Sequence, residues 1–291
     1  MLRQRVISGC AIAALLLLLP LFAPLIGIWL FLAVLSALGQ LEFYRLMADS
    51  GMPVFRLLGV AIGWLLLAAS FSSAGHGHTA GCSDETWLVL ALTAGVIAVF
   101  LRQFPQRNNS QPLQTMGCTL LGVLYVPYLM AYLVRLAADG EGTSWKAPIG
   151  SANYLVLFYL IIVVKATDMG AYFAGMALGR HKLIPRISPG KTWEGFAGGI
   201  AAGIATSLIF AGAGGWKLGV ILMPWPHAAA LGCVLALAAV AGDLFESLLK
   251  RAAGAKDSSR LLPGMGGLLD VTDSILFGAP VLYYWIRLMG S

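Results

Sequence analysis

Tyr154-Leu-Val-Leu-Phe-Tyr-Leu-Ile-Ile-Val-Val-Lys165-Ala-Thr-Asp168-Met-Gly-Ala-Tyr-Phe-Ala-Gly175 decides the fold. A helix needs roughly 20 mostly apolar residues to cross a bilayer, and this run supplies them. Its apolar residues are continuous rather than alternating, which argues against a strand of a membrane barrel. Comparable runs recur from one end of the chain to the other. Apolar residues make up 59% of the sequence and charged residues 11%, where a soluble domain typically carries about a quarter charged. The expected fold is all-α: a polytopic integral membrane protein with about nine transmembrane helices.

The expected spans are 6–24, 26–44, 54–71, 86–103, 115–134, 152–176, 194–212, 228–249 and 274–290. The first two share one run broken near Pro20 and Pro24, which also admits a re-entrant hairpin. The basic start, Arg3 and Arg5, imitates a signal peptide, but the length of the run and the spans after it favour an uncleaved helix. The apolar piece around Leu218–Met223 is too short to cross alone. One alternating set of loops and span ends holds fourteen of the nineteen Lys and Arg residues. The other holds four, Arg135, Lys146, Lys217 and Arg287, while Lys165 lies inside a span. Basic residues favour the cytoplasmic side. The split therefore places the N-terminus in the cytoplasm and both large basic loops, 177–193 and 250–273, on that same side. It also explains the net charge of +6 by topology, without DNA or RNA as a partner. Cys10, Cys82, Cys118 and Cys233 form no metal-knuckle spacing. His76, His78 and Cys82 lie in a charge-poor external loop without a third strong ligand.

Polar chemistry concentrates near the C-terminus. In Gly242-Asp-Leu-Phe-Glu-Ser-Leu-Leu-Lys-Arg251, a helix places Asp243, Glu246 and Lys250 on one face. Pro263-Gly-Met-Gly-Gly267 follows, with Gly264, Gly266 and Gly267 able to bring backbone N–H groups close to an anion. Asp270 and Asp273 come next, at i and i+3, on the first turns of the last helix. One reading is an ion-paired helix end with a capping carboxylate. The other is a metal and phosphate site beside the membrane. Two aspartates next to a glycine turn and the pair Lys256-Asp257 favour the second. Hard cations such as Mg²⁺ take oxygen ligands, often one or two carboxylates plus substrate phosphates. Asp243, Asp270 and Asp273 suit that role, and Lys256, Arg251 and Arg260 suit phosphate binding.

Lys165 and Asp168 form a second constellation, about one turn apart inside an apolar run. Such a pair is either a structural ion pair or a functional one. A third is Ser188-Pro-Gly-Lys191-Thr192-Trp-Glu194-Gly195. It ends like a phosphate-binding loop, but Pro185 stands where that motif needs its first glycine. Ser188, Lys191 and Thr192 can still bind phosphate at a helix start, or simply form a solvated one, with Glu194 as its cap.

Ser247-Leu-Leu-Lys250-Arg251-Ala-Ala-Gly-Ala-Lys256-Asp257, continuing through Pro263-Gly-Met-Gly-Gly267 to Asp270-Val-Thr-Asp273, resembles the long signature of phosphatidate cytidylyltransferases, the CDP-diacylglycerol synthases. Asp168-Met-Gly-Ala-Tyr-Phe173 and Ile187-Ser-Pro-Gly-Lys-Thr-Trp-Glu-Gly195 resemble two further segments of that family. The close matches lie within 150–291. Met265 and Val271 stand where the family usually has histidine and arginine, and Met169 replaces a small hydroxyl residue. The acidic, lysine and glycine positions persist, so a divergent but active enzyme is expected.

The resemblance implies transfer of a cytidylyl group from CTP to phosphatidate, giving CDP-diacylglycerol and pyrophosphate, with Mg²⁺ as cofactor. It implies a catalytic set of Asp243, Lys256, Asp257, Asp270 and Asp273, with metal on Asp243, Asp270 and Asp273. Asp168, Ser188, Lys191, Thr192, Lys250, Arg251, Arg260, Gly264, Gly266 and Gly267 are the expected substrate contacts. The expected partners are CTP, phosphatidate and membrane lipid, and a homodimer is compatible with the sequence. The division of labour places membrane helices in 1–140 and the catalytic region in 141–291. The expected setting is an inner or plasma membrane, with the active site facing the cytoplasm. A polyprenol or lipid kinase, a transporter lined by Lys165 and Asp168, and an inactive scaffold are the rival readings. A CDP-alcohol phosphotransferase lacks its acidic signature here.

Overall fold

The computed structural model describes residues 24–75, 84–138, 151–218, 221–255, 258–259 and 267–289. The expected first span, apart from Pro24, lies outside them. So do His76, His78, Cys82, Lys256, Asp257, Arg260, Gly264, Met265 and Gly266. The chain divides into two compact units. One comprises Met1–Ile149 with Ala253–Val271, the other Gly150–Ala252 with Thr272–Ser291.

In the first unit, α1 (Leu25–Asp49), α2 (Arg56–Gly75), α3 (Asp84–Gln103), α4 (Pro112–Val123) and α5 (Leu129–Ala138) pack together. Leu124–Tyr128 joins α4 to α5 as a π-helical turn around Pro127. Proline has no N–H and its ring collides with the carbonyl four residues earlier. The wider π turn accommodates both defects without ending the helix. A polar node ties the helices inside this apolar bundle. Gln40 Nε2 donates to the Gly59 carbonyl at 2.8 Å and to Tyr44 Oη at 2.9 Å. Tyr44 Oη donates onward to the Thr119 carbonyl at 2.9 Å. Groups this deeply buried need such partners, because an unsatisfied one costs several kcal/mol in hydrocarbon.

In the second unit, α6 (Ser151–Leu178), α7 (Trp193–Ala213) and α8 (Trp225–Ala252) pack together, with α9 (Leu269–Met289) contributing from Thr272 onward. Gly195, Gly199 and Gly203 are buried along one stripe of α7, the small-residue packing that lets membrane helices approach closely. Tyr159 Oη and Ser207 Oγ lie 2.7 Å apart, and Ser207 Oγ also reaches the Ala228 carbonyl. Tyr172, Phe173 and Met176 point away from the protein, as expected for a surface that lipid covers.

Two small antiparallel hairpins supplement the helices. β1 (Lys182–Ile184) pairs with β2 (Ser188–Thr192), opposing Lys182 to Thr192 and Ile184 to Ser188. β3 (Lys217–Leu218) pairs with β4 (Ile221–Leu222), where the apolar piece around Leu218–Met223 is too short to span.

Among the described residues, six helical stretches are long and apolar enough to cross a membrane. They are α1, Thr86–Gln103, the continuous Pro112–Ala138, Asn153–Leu178, α7 and α8. α2 offers a shorter apolar stretch, Arg56–Phe71. The chain is thus an α-helical, multi-pass membrane protein.

Candidate active site

The second unit gathers three carboxylates from two helices. Asp243 and Glu246 sit one turn apart on α8, and Asp273 lies near the start of α9. One oxygen from each comes within 4.8 Å of the others. Gly242 makes the approach feasible. A Cβ there would stand 2.5 Å from the Asp273 carbonyl oxygen and 3.0 Å from its carbon. The α8 backbone therefore passes directly against α9 at the acidic residues. Glu246 and Asp273 are 3% and 4% exposed.

Two lysines answer this negative charge. Lys191 Nζ on β2 is 2.7 Å from Asp243 Oδ2. Lys250 Nζ, one turn beyond Glu246 on α8, is 2.6 Å from Glu246 Oε2. Two buried carboxylates beside a half-exposed third, Asp243, need cations nearby, and the lysines supply part of that compensation. Lys165 and Asp168 pair across one turn of α6 at 3.2 Å. Ser274 Oγ approaches Asp168 Oδ1 at 3.5 Å. Asp168 also lies close enough to interact electrostatically with Asp243 and Asp273.

The hairpin that delivers Lys191 is anchored on both sides. Thr192 caps α7, its Oγ1 accepting from the Gly195 N–H at 3.1 Å. Glu194 is therefore not the cap. Its carboxylate instead reaches across the hairpin to the N–H groups of Arg180 and His181 and to the His181 ring at 2.6 Å. Arg251 Nε donates to the Ile187 carbonyl at 3.3 Å, tying the hairpin to the end of α8. Ser188 opens β2, so Ser188, Lys191 and Thr192 belong to one strand.

In the first unit, Asp270 Oδ2 accepts from the Gly267 N–H at 2.6 Å and from Ser258 Oγ at 2.7 Å. The Ser258 N–H approaches the same oxygen at 3.4 Å. Gly267 is needed there for space, since a Cβ would collide with Ser258 Oγ and with Glu42. The anion its N–H meets is the chain's own Asp270.

The fit of this second-unit site to a divalent cation can be tested from its donors. Two oxygens on one Mg²⁺ at ~2.1 Å each lie at most ~4.2 Å apart. Carboxylates already within 4.8 Å need only small rotations to share such an ion, and all three are hard oxygen donors. The site's residues fit the metal. Glu246 joins the acidic set although the sequence marks it only as a member of the Asp243–Lys250 face. The i+3 spacing from Asp243 is the signal that finds it.

The model of the cytidylyltransferase family matches residues 3–289. The chain belongs to the cytidylyltransferase family. A phosphatidate cytidylyltransferase of Bacillus subtilis is 30% identical over 291 residues, covering 98% of both chains. One from Synechocystis is 33% identical over 314 residues, covering 98% of this chain and 97% of the relative. Another, from Mycobacterium tuberculosis strain H37Rv, is 30% identical over 303 residues, with 99% and 83% covered.

Proposed function

We propose that this chain transfers the cytidylyl group of CTP to phosphatidate, releasing pyrophosphate and leaving CDP-diacylglycerol in the membrane. The observation that carries the reading is the convergence of Asp243, Glu246 and Asp273 with Lys191 and Lys250 in a chain matched almost end to end by its family. A phosphate oxygen of phosphatidate forms a bond to the α-phosphorus of CTP. The bond from that phosphorus to the bridging oxygen of the β-phosphate breaks, and its electrons leave with pyrophosphate. No protein nucleophile is required.

Asp243, Glu246 and Asp273 are the residues proposed to hold Mg²⁺, with Asp270, one turn before Asp273 in sequence, as the further acidic member. A bound divalent cation supplies charge neutralisation for the triphosphate and the departing pyrophosphate. Lys191 and Lys250, paired with carboxylates, are placed to exchange those partners for phosphate oxygens. Thr192 and Glu194 hold the hairpin that carries Lys191. Ser188, Arg251, Lys256, Arg260 and the glycines 264, 266 and 267 complete the proposed phosphate contacts, and Asp257 the proposed catalytic group. Asp168 and Lys165 border the acidic group from α6. Met265 and Val271 are carried as tolerated departures.

The reading includes nine crossings, a cytoplasmic N-terminus, a cytoplasmic entrance for the nucleotide and acyl chains left in the bilayer. It is tested by CTP turnover with phosphatidate in detergent, with and without Mg²⁺. Turnover that needs both the lipid and the cation is expected. Turnover indifferent to phosphatidate contradicts the reaction, and turnover unaffected by chelation contradicts the metal role.

A further inference from the structure

Glu42 is a carboxylate buried in an apolar helix, and the reaction makes no direct use of it. It lies on α1, 1% exposed, far in sequence from every residue assigned to the site. Its Oε2 accepts the Leu269 N–H at 3.0 Å, across 227 residues of sequence. Its Oε1 accepts the hydroxyl of Ser259. Leu269 opens α9, and its N–H is one of the orphan donors at a helix start, where a carboxylate also meets the positive end of the helix dipole. Leu268 and Leu269 pack beside Gly39, one turn before Glu42. Further along α1, Ser50 Oγ donates to the Ala253 carbonyl at 3.0 Å. Asp270 draws Ser258 and Gly267 together.

One helix therefore grips the chain at Ala253, at Ser259 and at Leu269, on both flanks of the glycine-rich stretch. We infer that Glu42 is a positioning residue for the reaction. Its carboxylate fixes Ser259 and the Leu269 N–H, and with them the start of α9 at which Asp270 stands. A serine and a backbone N–H from opposite flanks meeting on two oxygens of one carboxylate is a clamp. An apolar residue at 42 could pack in the membrane equally well but could not hold either flank. The collision that a Cβ at Gly267 would make with Glu42 and Ser258 shows how closely the three are fitted.

The inference rests on the proposed reaction for its consequence in catalysis, but the clamp itself is read independently. Full-length protein in detergent is compared as wild type, Glu42→Ala and Glu42→Gln. Trypsin cleavage after Lys256 and Arg260 is followed against cleavage after Arg180 and Lys182 as an internal reference. When opening precedes cleavage, the cleavage rate follows the population of the opened segment. Loss of charge-assisted bonds to both flanks is expected to raise cleavage after Lys256 and Arg260 by about tenfold or more in Glu42→Ala, with the reference sites unchanged. Glutamine keeps an acceptor for Leu269 and a polar group for Ser259, and restores most of the protection. In turnover, kcat falls by roughly 10- to 100-fold in Glu42→Ala, the range typical of residues that orient others. The Mg²⁺ concentration for half-maximal rate rises with it, a midpoint that loss of folded protein does not move. Wild-type cleavage kinetics in Glu42→Ala overturn the inference, as does a Glu42→Gln variant no better than alanine. If wild type turns over no CTP, the proposed reaction fails and the cleavage comparison alone decides Glu42.

Discussion

Two sets of carboxylates, one from each unit, are held differently. In the first, Glu42 and Asp270 receive backbone N–H groups and serine hydroxyls. In the second, Asp243, Glu246 and Asp168 face lysine ammonium groups. The two kinds of partner have different consequences. A backbone N–H cannot leave without deforming the chain, so a carboxylate that accepts one fixes the path of the backbone. A lysine on a flexible stem can trade a carboxylate for a phosphate. The first arrangement builds a mount, and the second leaves its cations able to change partners.

That contrast can be broken experimentally, beginning with the largest effect. Asp243→Asn removes charge where the lysine-paired acids converge. Cytidylyl transfer should fall by roughly 10²–10³-fold, the scale set by losing one preorganised electrostatic contact, with folding yield preserved. Asp270→Asn sharpens the comparison, because asparagine keeps one carbonyl oxygen for Gly267 and Ser258. A loss of about 10- to 100-fold in transfer is expected if Asp270 also serves the metal. Unchanged transfer at equal folding yield confines it to holding the chain.

Gly242→Ala pushes α8 away from α9 at Asp273. Overpacking of this kind costs about 1–3 kcal/mol, visible as a lower unfolding temperature in detergent. A displacement near 1 Å at the acidic group also lowers transfer, by up to ~10²-fold. Thr192→Ala gives the smallest effect. Losing the α7 cap costs about 1 kcal/mol, and transfer should drop only as far as the hairpin carrying Lys191 loosens. A Thr192→Ser variant that recovers both quantities would identify the hydroxyl as the responsible group.

The helices were largely legible because bilayer thickness writes itself into sequence as runs of fixed length. The stretches at 86–103, 194–212 and 228–249 coincide closely with Thr86–Gln103, Trp193–Ala213 and Trp225–Ala252. The β1–β2 hairpin was hidden in what reads as a basic loop. Its strands are short and polar, and its shape comes from Glu194 holding Arg180 and His181. The π turn was hidden too, since Pro127 alone does not say whether a helix breaks, kinks or widens.

Candidate site residues differ in the same way. Asp243, Asp270 and Asp273 announce themselves by local crowding of charge. Glu246 shows in the sequence only through its i+3 spacing from Asp243, and folding adds Asp273 beside it. Glu42 offers nothing local, for its partners Ser259 and Leu269 lie more than two hundred residues away. An acid inside an apolar run is nevertheless costly enough to be worth questioning, and that cost is the signal pointing to it.

The most direct measurement follows phosphorus-32 from CTP into lipid, using protein purified in one detergent as wild type and as Asp273→Asn. Label at the α-position should enter the lipid product of wild type, label at the γ-position should leave with pyrophosphate, and Asp273→Asn should lose α-transfer by at least about 10²-fold. Lipid labelled from the γ-position would make the protein a kinase, and an Asp273→Asn variant at the wild-type rate would remove the acidic cluster from the chemistry.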